Sequence, residues 1–450
     1  MEAAAKVQAG DEAQPRVGGA YTLWCPLCGA QHEDCAEDLL LSCPENHPPS
    51  LLRAVYREKR LVIHPELSGV FRYADWLPIR RTLTGVSGPA VYRSTGLASA
   101  LGLANLLVVF SGFWPERGAL METCTFKELE AQAVCGRIPA GWRSSLVVCS
   151  AGNTARAFLQ ACSRAGIAAL LVVPEHCLPL LWSTGGHRPF VRLAVVGGEA
   201  DYADAIHAGS RIAQTDGFCA EGGARNAARR DGMGTVVLAA TEAAGVIPDH
   251  YFQAVGSGTG AIAAWEASLR LLEDGRFGEK KMKLHLAQNI PFTPMADAWR
   301  AGSRRLPEID EAKARCDSKA VRAPVLTNRT PPYSVAGGLY DALSDCEGLM
   351  YRISNKEAER AGRLFEDREG CDIDPAAEVA VAALVHAVEA GRIGARSVVA
   401  LNVTGGGRKR IEATGRVERL EPCVRFDMEE LRGRGVAAVL DELRRREVSS

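Results

Sequence analysis

The 450-residue sequence predicts an α/β fold of two doubly wound lobes that flank a cleft, with a small Cys-rich lobe at the N-terminus. Three observations lead to this prediction. Apolar strand-like runs alternate with segments of helical spacing from about residue 60, several runs end in a Gly-containing turn, and cysteines cluster within residues 21–60. Such alternation builds parallel sheets, because a crossover must carry the chain back before the next strand. Ligands are then expected at the carboxyl ends of the strands.

The individual elements follow from apolar runs of strand length and from helical spacing between them. In chain order they are a strand over 145–149, a helix over 155–165, a strand over 167–173, a strand over 251–255, a helix over 261–273, a strand over 283–288, a helix over 379–390 and a strand over 397–403. The last strand runs into Gly405, Gly406 and Gly407.

The predicted domain organisation has four parts. Residues 1–20 are poor in large apolar residues and are expected to form a disordered leader. The Cys-rich lobe is placed at 21–60, the larger domain at 61–140 together with 246–450, and a smaller mobile domain at 141–245.

Composition excludes several classes of protein. Lys plus Arg number 53 against 54 for Asp plus Glu, so there is no basic field of the kind that binds nucleic acid. The first residues lack the apolar core of a signal peptide, and no run approaches the roughly 18 apolar residues of a membrane span. We therefore expect a cytoplasmic protein whose fourteen cysteines are mostly buried, reduced thiols.

The cysteines at the N-terminus permit two interpretations. Cys25, Cys28 and Cys43, with His47 shortly after, could form a tetrahedral zinc knuckle. The alternative is a lobe without metal. The sequence favours this alternative slightly, because His47 lies in a Pro-rich stretch and the second pair is not C-x-x-C. We therefore predict no metal ligands, and the sequence leaves open whether Cys25, Cys28 and Cys43 bind zinc.

Lys127, in the segment Thr-Phe-Lys-Glu, is the candidate nucleophile. An amine that attacks an aldehyde must be neutral, so its site must disfavour the ammonium form. The three residues before Lys127 are uncharged, although Glu128 follows. Because an isolated lysine on a helix is usually solvated, Lys127 becomes a candidate only when it is considered together with the motifs at 150–154 and 256–260.

Residues 150–154, Ser-Ala-Gly-Asn-Thr, lie between a predicted strand and a predicted helix. Asn153 can present its amide to a ring hydroxyl, and Ser150, Thr154 and free backbone N–H groups can hold a carboxylate. An ordinary helix cap is the alternative, since Ser, Asn and Thr favour such positions.

Residues 256–260, Gly-Ser-Gly-Thr-Gly, also follow a strand and open a helix, where backbone N–H groups can bind a phosphate. A plain tight turn or a dinucleotide site would use similar glycines, but Ala261 breaks the G-x-G-x-x-G spacing and no Walker lysine is present. Arg225 and Arg229 lie just after a glycine pair and form a candidate anion site. The alternative for these arginines is a solvated helix face.

The lysine, the asparagine turn and the glycine loop occur in the order that a pyridoxal 5'-phosphate (PLP) enzyme needs, and the chain resembles the cysteate synthase family. That family comprises fold-type-II PLP enzymes related to threonine synthase. The resemblance runs from the Cys-rich start to about residue 410. It is carried by residues 111–116, 125–131, 221–226, 249–265 and 331–334.

The resemblance implies a tryptophan-synthase-β-like fold, PLP as cofactor and a set of site residues. Lys127 would be the Schiff-base lysine, Asn153 the partner of the PLP hydroxyl, and Thr404 the residue facing the pyridine nitrogen. The phosphate would rest on Gly256, Ser257, Gly258, Thr259 and Gly260. The predicted substrate-binding residues are Ser150, Thr154, Arg225 and Arg229.

The reaction implied is a β-replacement in which O-phospho-L-serine and sulfite give L-cysteate and phosphate. In methanogenic archaea this step feeds coenzyme M biosynthesis, and other uses of cysteate stay open, because the leader and the Arg- and Glu-rich tail depart from the family pattern. A homo-oligomer, dimer or trimer, is expected. The alternatives are threonine synthase or another β- or γ-replacement on a phosphorylated amino acid and, less favoured, a non-catalytic PLP- or zinc-binding protein.

Overall fold

The computed structural model describes residues 18–35, 39–150, 152–186, 188–433, 435–436, 439 and 441. The predicted leader over residues 1–20 lies outside the described residues except for its last three. The strands are β1 (Tyr21–Trp24), β2 (Gln31–His32), β3 (Arg53–Tyr56), β4 (Ala90–Arg93), β5 (Asn105–Phe110), β6 (Phe113–Trp114), β7 (Ala119–Leu120), β8 (Ser145–Cys149), β9 (Ala169–Pro174), β10 (Trp182–Ser183), β11 (Val191–Val196), β12 (Phe218–Ala220), β13 (His250–Ala254), β14 (Lys283–Asn289), β15 (Leu349–Ile353), β16 (Val398–Val403), β17 (Glu418–Arg419) and β18 (Val424–Phe426).

The α-helices alternate with the strands over most of the chain. They are α1 (Gly96–Leu101), α2 (Lys127–Arg137), α3 (Asn153–Ala165), α4 (Tyr202–Ile212), α5 (Ala227–Ala244), α6 (Thr259–Asp274), α7 (Pro294–Arg300), α8 (Glu311–Ala320), α9 (Leu339–Asp345), α10 (Asn355–Glu369), α11 (Pro375–Glu389), α12 (Arg408–Ala413) and α13 (Met428–Gly433).

The larger sheet has six strands in the order β15-β14-β13-β16-β5-β4. All neighbouring pairs are parallel except β4 and β5, which are antiparallel. Strand β5 reads Asn-Leu-Leu-Val-Val-Phe, and its last five residues are buried. Such continuous apolar runs are typical of parallel strands covered on both faces, because helices pack against each side of the sheet.

The smaller sheet is wholly parallel, in the order β12-β8-β9-β11-β18. The predicted boundaries placed all of residues 246–450 in the larger domain, whereas β18 pairs with β11 of the smaller sheet. The chain thus returns to this sheet near its C-terminal end. Long-range pairing of this kind leaves no local signal in a strand of three residues.

The N-terminal lobe is a three-stranded antiparallel sheet in the order β2-β1-β3. Together with the two larger sheets, it confirms the predicted α/β fold with a small N-terminal lobe. Each predicted strand and helix is present. The largest change is at the helix predicted over 379–390, which begins at Pro375 because proline is favoured in the first helical turn.

The carboxyl ends of three parallel strands place polar segments around one opening. Strand β8 leads to Ser150, β13 leads to residues 256–260, and β16 leads to Thr404. These segments lie beside the first residue of α2, which is Lys127. In the part of the chain that the structure describes, no helix combines the length and the apolar content that crossing a membrane requires.

Candidate active site

One cavity between the two large sheets brings together nearly all of the predicted site residues. It holds about 810 Å³ of space, including its open mouth. Of the predicted residues, its lining contains Lys127, Ser150, Asn153, Thr154, Arg229, Gly256, Ser257, Gly258, Thr259, Gly260 and Thr404. Arg225 does not line it. The lysine, the asparagine turn and the glycine loop are therefore neighbours in space as well as in order.

Lys127 begins α2, and its buried amine has both apolar and charged neighbours. The Nζ atom is 4.0 Å from Met233 Sδ and 4.9 Å from the centre of the Phe126 ring. Burial lowers the pKa of Lys127; the Glu130 carboxylate opposes this effect, and Arg229 adds to it. A lowered pKa favours the neutral amine that an attack on an aldehyde requires.

The acidic residue that contacts Lys127 is Glu130 and not the adjacent Glu128. Glu130 is fully buried, and its Oε2 lies 3.3 Å from Lys127 Nζ. Glu128 faces elsewhere, where it accepts hydrogen bonds from Thr123 Oγ1 at 2.7 Å and Gln132 Nε2 at 3.4 Å. Glu130 was not predicted from the sequence, although its spacing of three residues from Lys127 places both side chains on one face of a helix.

Arg229 belongs to a buried ionic network with Glu130 and Glu221. Its Nε and Nη2 donate to the two carboxylate oxygens of Glu221, each at 2.8 Å, and Nη2 lies 3.4 Å from Glu130 Oε1. The same Glu130 oxygen accepts from Thr154 Oγ1 at 3.0 Å. Alternating charges therefore connect the Lys127 amine to Arg229 along one wall of the cavity.

Arg225 is exposed and stands apart from this network, which corrects the prediction that it lies beside Arg229 in the site. Asn226 is the reason. Its side chain accepts from Ala228 N and caps α5, so Arg225 precedes the helix, in a short 3-10 turn. Residues four apart lie on one face only when both are in the same helix. Arg225 lies before the first residue of α5, so it does not share a face with Arg229.

The turn between β8 and α3 orients the amide of Asn153. Ser150 Oγ accepts hydrogen bonds from Gly152 N at 3.1 Å and Ala155 N at 2.9 Å, so it satisfies a backbone N–H in the first turn of α3, although the N-cap itself is Gly152. Asn153 Oδ1 accepts from Arg156 Nη2 at 3.1 Å. The Asn153 NH₂ group is then the part of the amide that can donate to a ligand.

Arg156 supports the Asn153 amide, a role that was not predicted from the sequence. It is buried and donates from Nε to Thr123 O and from Nη1 to Leu180 O, both at 2.8 Å. These bonds fix the guanidinium that in turn holds the Asn153 amide. A lone arginine at the fourth position of the α3 segment carried no sequence signal, because most helical arginines are solvated.

The glycine loop fits closely between neighbouring segments. A Cβ at Gly256 would lie 2.8 Å from Val325 O, and one at Gly260 would lie 2.7 Å from Gln253 Nε2. Gly258 has a φ of 77° and is the N-cap of the 16-residue helix α6. Residues 256–260 line the cavity, so the free N–H groups at the start of this helix lie where a helix N-terminus favours an anion.

Thr404 links the end of β16 to the start of α2. Its carbonyl accepts from Phe126 N at 2.9 Å, and the residue is buried in the lining of the cavity. The donor set fits PLP: a lysine of lowered pKa, an oriented amide, an uncharged alcohol, and a glycine loop that opens helix α6 and leaves no room for side chains at Gly256 and Gly260.

Comparisons with known proteins agree with this donor set. Residues 91–405 match the family described as pyridoxal-phosphate dependent enzyme. A cysteate synthase of Methanosarcina acetivorans is 47% identical over 405 residues, covering 90% of this chain and 96% of the relative. One of Methanoculleus marisnigri is 50% identical over 391 residues, covering 87% and 89%.

A solved structure of maize serine racemase superposes with a TM-score of 0.51 at 14% identity, covering 73% of this chain and 91% of the racemase, and shows the fold alone. The predicted family, fold type and cofactor are confirmed. The chain belongs to the cysteate synthase family of fold-type-II, PLP-dependent enzymes.

Proposed function

We propose that this enzyme converts O-phospho-L-serine and sulfite to L-cysteate and phosphate by a PLP-dependent β-replacement. The observation that carries the proposal is the position of Lys127: its amine has a lowered pKa and lines the same cavity as the glycine loop. The chain is also 47% identical to a cysteate synthase. The cysteate can serve coenzyme M biosynthesis or another use.

Four groups would hold the cofactor. Lys127 would bind its aldehyde carbon, Asn153 Nδ2 its ring hydroxyl, residues 256–260 its phosphate, and Thr404 would face its pyridine nitrogen. When bound, PLP supplies an electron sink for the negative charge that develops at the substrate Cα. Thr404 is uncharged, so it cannot stabilise a protonated pyridine nitrogen as a carboxylate would.

Lys127 would also move the substrate α-proton. Its Nζ can take this proton only as the neutral amine, and burial favours that form. Ser150 would hold the substrate carboxylate, because its oxygen already accepts two backbone N–H groups and its own proton can be donated. Backbone N–H groups at the start of α3, beside Thr154, would add to this binding.

Arg229 would balance the charge of the leaving phosphate and of the incoming sulfite. Its Nε and Nη2 are paired with Glu221, so Nη1 is the nitrogen with protons still to donate. The pairing also fixes the plane of the guanidinium. A fixed donor stabilises a developing anion without first having to reorganise.

Two further features belong to this proposal. We infer a homo-oligomer, and we infer that it works in the cytoplasm. The second inference is supported by the fourteen cysteines, all of which are free, as expected in a reducing compartment. We also infer that the smaller domain moves. Ion pairs of Arg315 and Arg329 with Asp201, at 3.4 and 2.8 Å, join residues of the larger domain to the smaller one, and we expect them to form and break as the smaller domain moves.

The deciding experiment is a product assay with purified protein, PLP, O-phosphoserine and sulfite. We expect cysteate by mass spectrometry and phosphate release that depends on sulfite. Formation of threonine from O-phosphohomoserine, without cysteate from phosphoserine, would instead assign a threonine synthase. The Lys127→Ala variant should lose both turnover and the visible absorbance of the bound cofactor, and turnover retained in it would contradict the role of Lys127.

A further inference from the structure

Four potential metal ligands meet in the N-terminal lobe, away from the active site. The ligand atoms of Cys25, Cys28, Cys43 and His47 all lie within 4.8 Å of one another. Cys28 Sγ is 3.8 Å from Cys43 Sγ, and Cys25 Sγ is 3.4 Å from His47 Nε2. We propose that these four residues, named here the lobe quartet, bind one structural Zn²⁺.

The two distances match the edges of a zinc tetrahedron. With Zn–S bonds of about 2.3 Å and a Zn–N bond of about 2.0–2.1 Å, the S–S edge is about 3.8 Å and the S–N edge about 3.5 Å. A disulfide between Cys28 and Cys43 would need a separation of about 2.05 Å. The observed 3.8 Å is therefore the spacing of two ligands to one ion and not of a bonded pair.

The groups around the ligands favour the metal-binding forms. His47 Nδ1 lies 2.7 Å from the carbonyl oxygen of Pro48. A carbonyl can only accept, so Nδ1 carries the proton and Nε2 keeps its lone pair for the metal. Ser50 Oγ, 3.2 Å from Cys25 Sγ, can donate to the thiolate. Zinc ligands are commonly oriented by such secondary hydrogen bonds.

The backbone brings the first two ligands together. Between β1 and β2, Cys25 N donates to Ala30 O at 2.8 Å and Gly29 N donates to Cys25 O at 2.9 Å. Gly29 has a φ of 77°, a conformation that glycine adopts without strain. Cys43 and His47 come from the segment before β3. The sequence favoured a lobe without metal because His47 lies in a Pro-rich stretch and the second pair is not C-x-x-C.

The sheet of the lobe is small, with strands of four, two and four residues. Its inward side chains, such as Leu23, Leu52 and Tyr56, are buried in the main core of the protein. The four ligands instead come from segments outside the helices and strands. The described residues contain no disulfide, since every cysteine in them is free. Four ligands from distant points of the lobe would close it into one unit.

Cys35 provides a matched control. It lies in the same lobe, is exposed, and is not part of the lobe quartet. Purified holoenzyme analysed by plasma mass spectrometry should contain about one zinc per chain, as should Cys35→Ser. Cys28→Ser and Cys43→Ser should each retain less than about 0.2 zinc per chain. Full zinc content in Cys43→Ser would overturn the proposal.

Spectroscopy gives an answer even if the cysteine variants fold poorly. After chelation of the wild-type holoenzyme and addition of Co²⁺, a tetrahedral thiolate site should produce intense visible ligand-field bands at wavelengths longer than those of PLP. One Zn²⁺ per chain should abolish these bands. A wild-type protein that gives no such bands, and that keeps no zinc after loading and desalting, would exclude the site whatever the result of the activity assay.

Discussion

Glu130→Gln is expected to make Lys127 a more readily deprotonated amine. The carboxylate is fully buried and 3.3 Å from Nζ. Two unit charges at this distance attract by about 5 kcal/mol at an effective dielectric constant of about 20. If about a third of this attraction remains after the cost of burying the two charges, its loss lowers the pKa of Lys127 by about one unit, since one unit is ~1.4 kcal/mol. Below the pKa, the neutral fraction of the amine then rises about tenfold.

The assay uses the enzyme freed of PLP. We would measure the rate at which Lys127 captures added cofactor across the neutral and mildly alkaline range, with borohydride trapping and peptide mass spectrometry. In Glu130→Gln the capture rate at neutral pH should rise about tenfold or more, and its pH dependence should move to lower pH. Loss of Glu130 also leaves Arg229 less compensated, and that change acts in the same direction.

Glu128→Gln is the matched control. Glu128 is buried on the same helix, but its partners are Thr123 and Gln132 and not the lysine. The capture rate of this variant, and its pH dependence, should equal those of the wild-type protein. A wild-type pH dependence in Glu130→Gln, or an equal shift in both variants, would contradict this role of the Glu130 carboxylate.

Three further outcomes are expected. Arg229→Lys loses the paired bonds to Glu221 and should lower kcat/KM for phosphoserine about tenfold or more, whereas Arg225→Lys on the exposed turn should leave it unchanged. Gly260→Ala should lower the cofactor content and destabilise the fold by about 1–3 kcal/mol, because the added Cβ would lie 2.7 Å from Gln253 Nε2. Denaturant titration measures the loss, and a wild-type unfolding midpoint would contradict this expectation. Burial raises the pKa of Asp374 to about 6, so the stability that its protonated form contributes is lost as pH rises through 6. A shift from 3.8 to about 6 is about two pKa units, so Asp374→Asn should gain about 2–3 kcal/mol over wild type between about pH 4 and pH 7, and a constant difference would contradict this.

The elements around the cavity were predictable because their apolar runs are long and regular. Strand β8 and the helix that follows it show both the run and the change of period, so the turn at Ser150 could be placed at a strand end. The same holds for the glycine loop between β13 and α6. A parallel sheet then brings such turns to one edge, and the site follows.

Contacts between side chains on different elements were not predictable in the same way. Glu128 stood next to the lysine in sequence, yet the turn of the helix directs Glu130 to it. Arg156 became significant only when α3 was placed against Thr123 and Leu180. The pattern of residue types sets which chemistry is available, whereas tertiary packing decides which carboxylate or arginine performs it.

The N-terminal lobe is joined to the active site through Arg137, which explains why a small unit outside the cavity matters to its geometry. Arg137 ends α2, the helix that Lys127 begins. It is fully buried, donates from Nε to Asp34 of the lobe at 2.8 Å, and donates from Nη1 to Asn226 Oδ1 at 2.8 Å. Asn226 caps the helix that carries Arg229. Because removing one partner of a buried ion pair costs about 3–5 kcal/mol, the lobe holds both helices of the site in register.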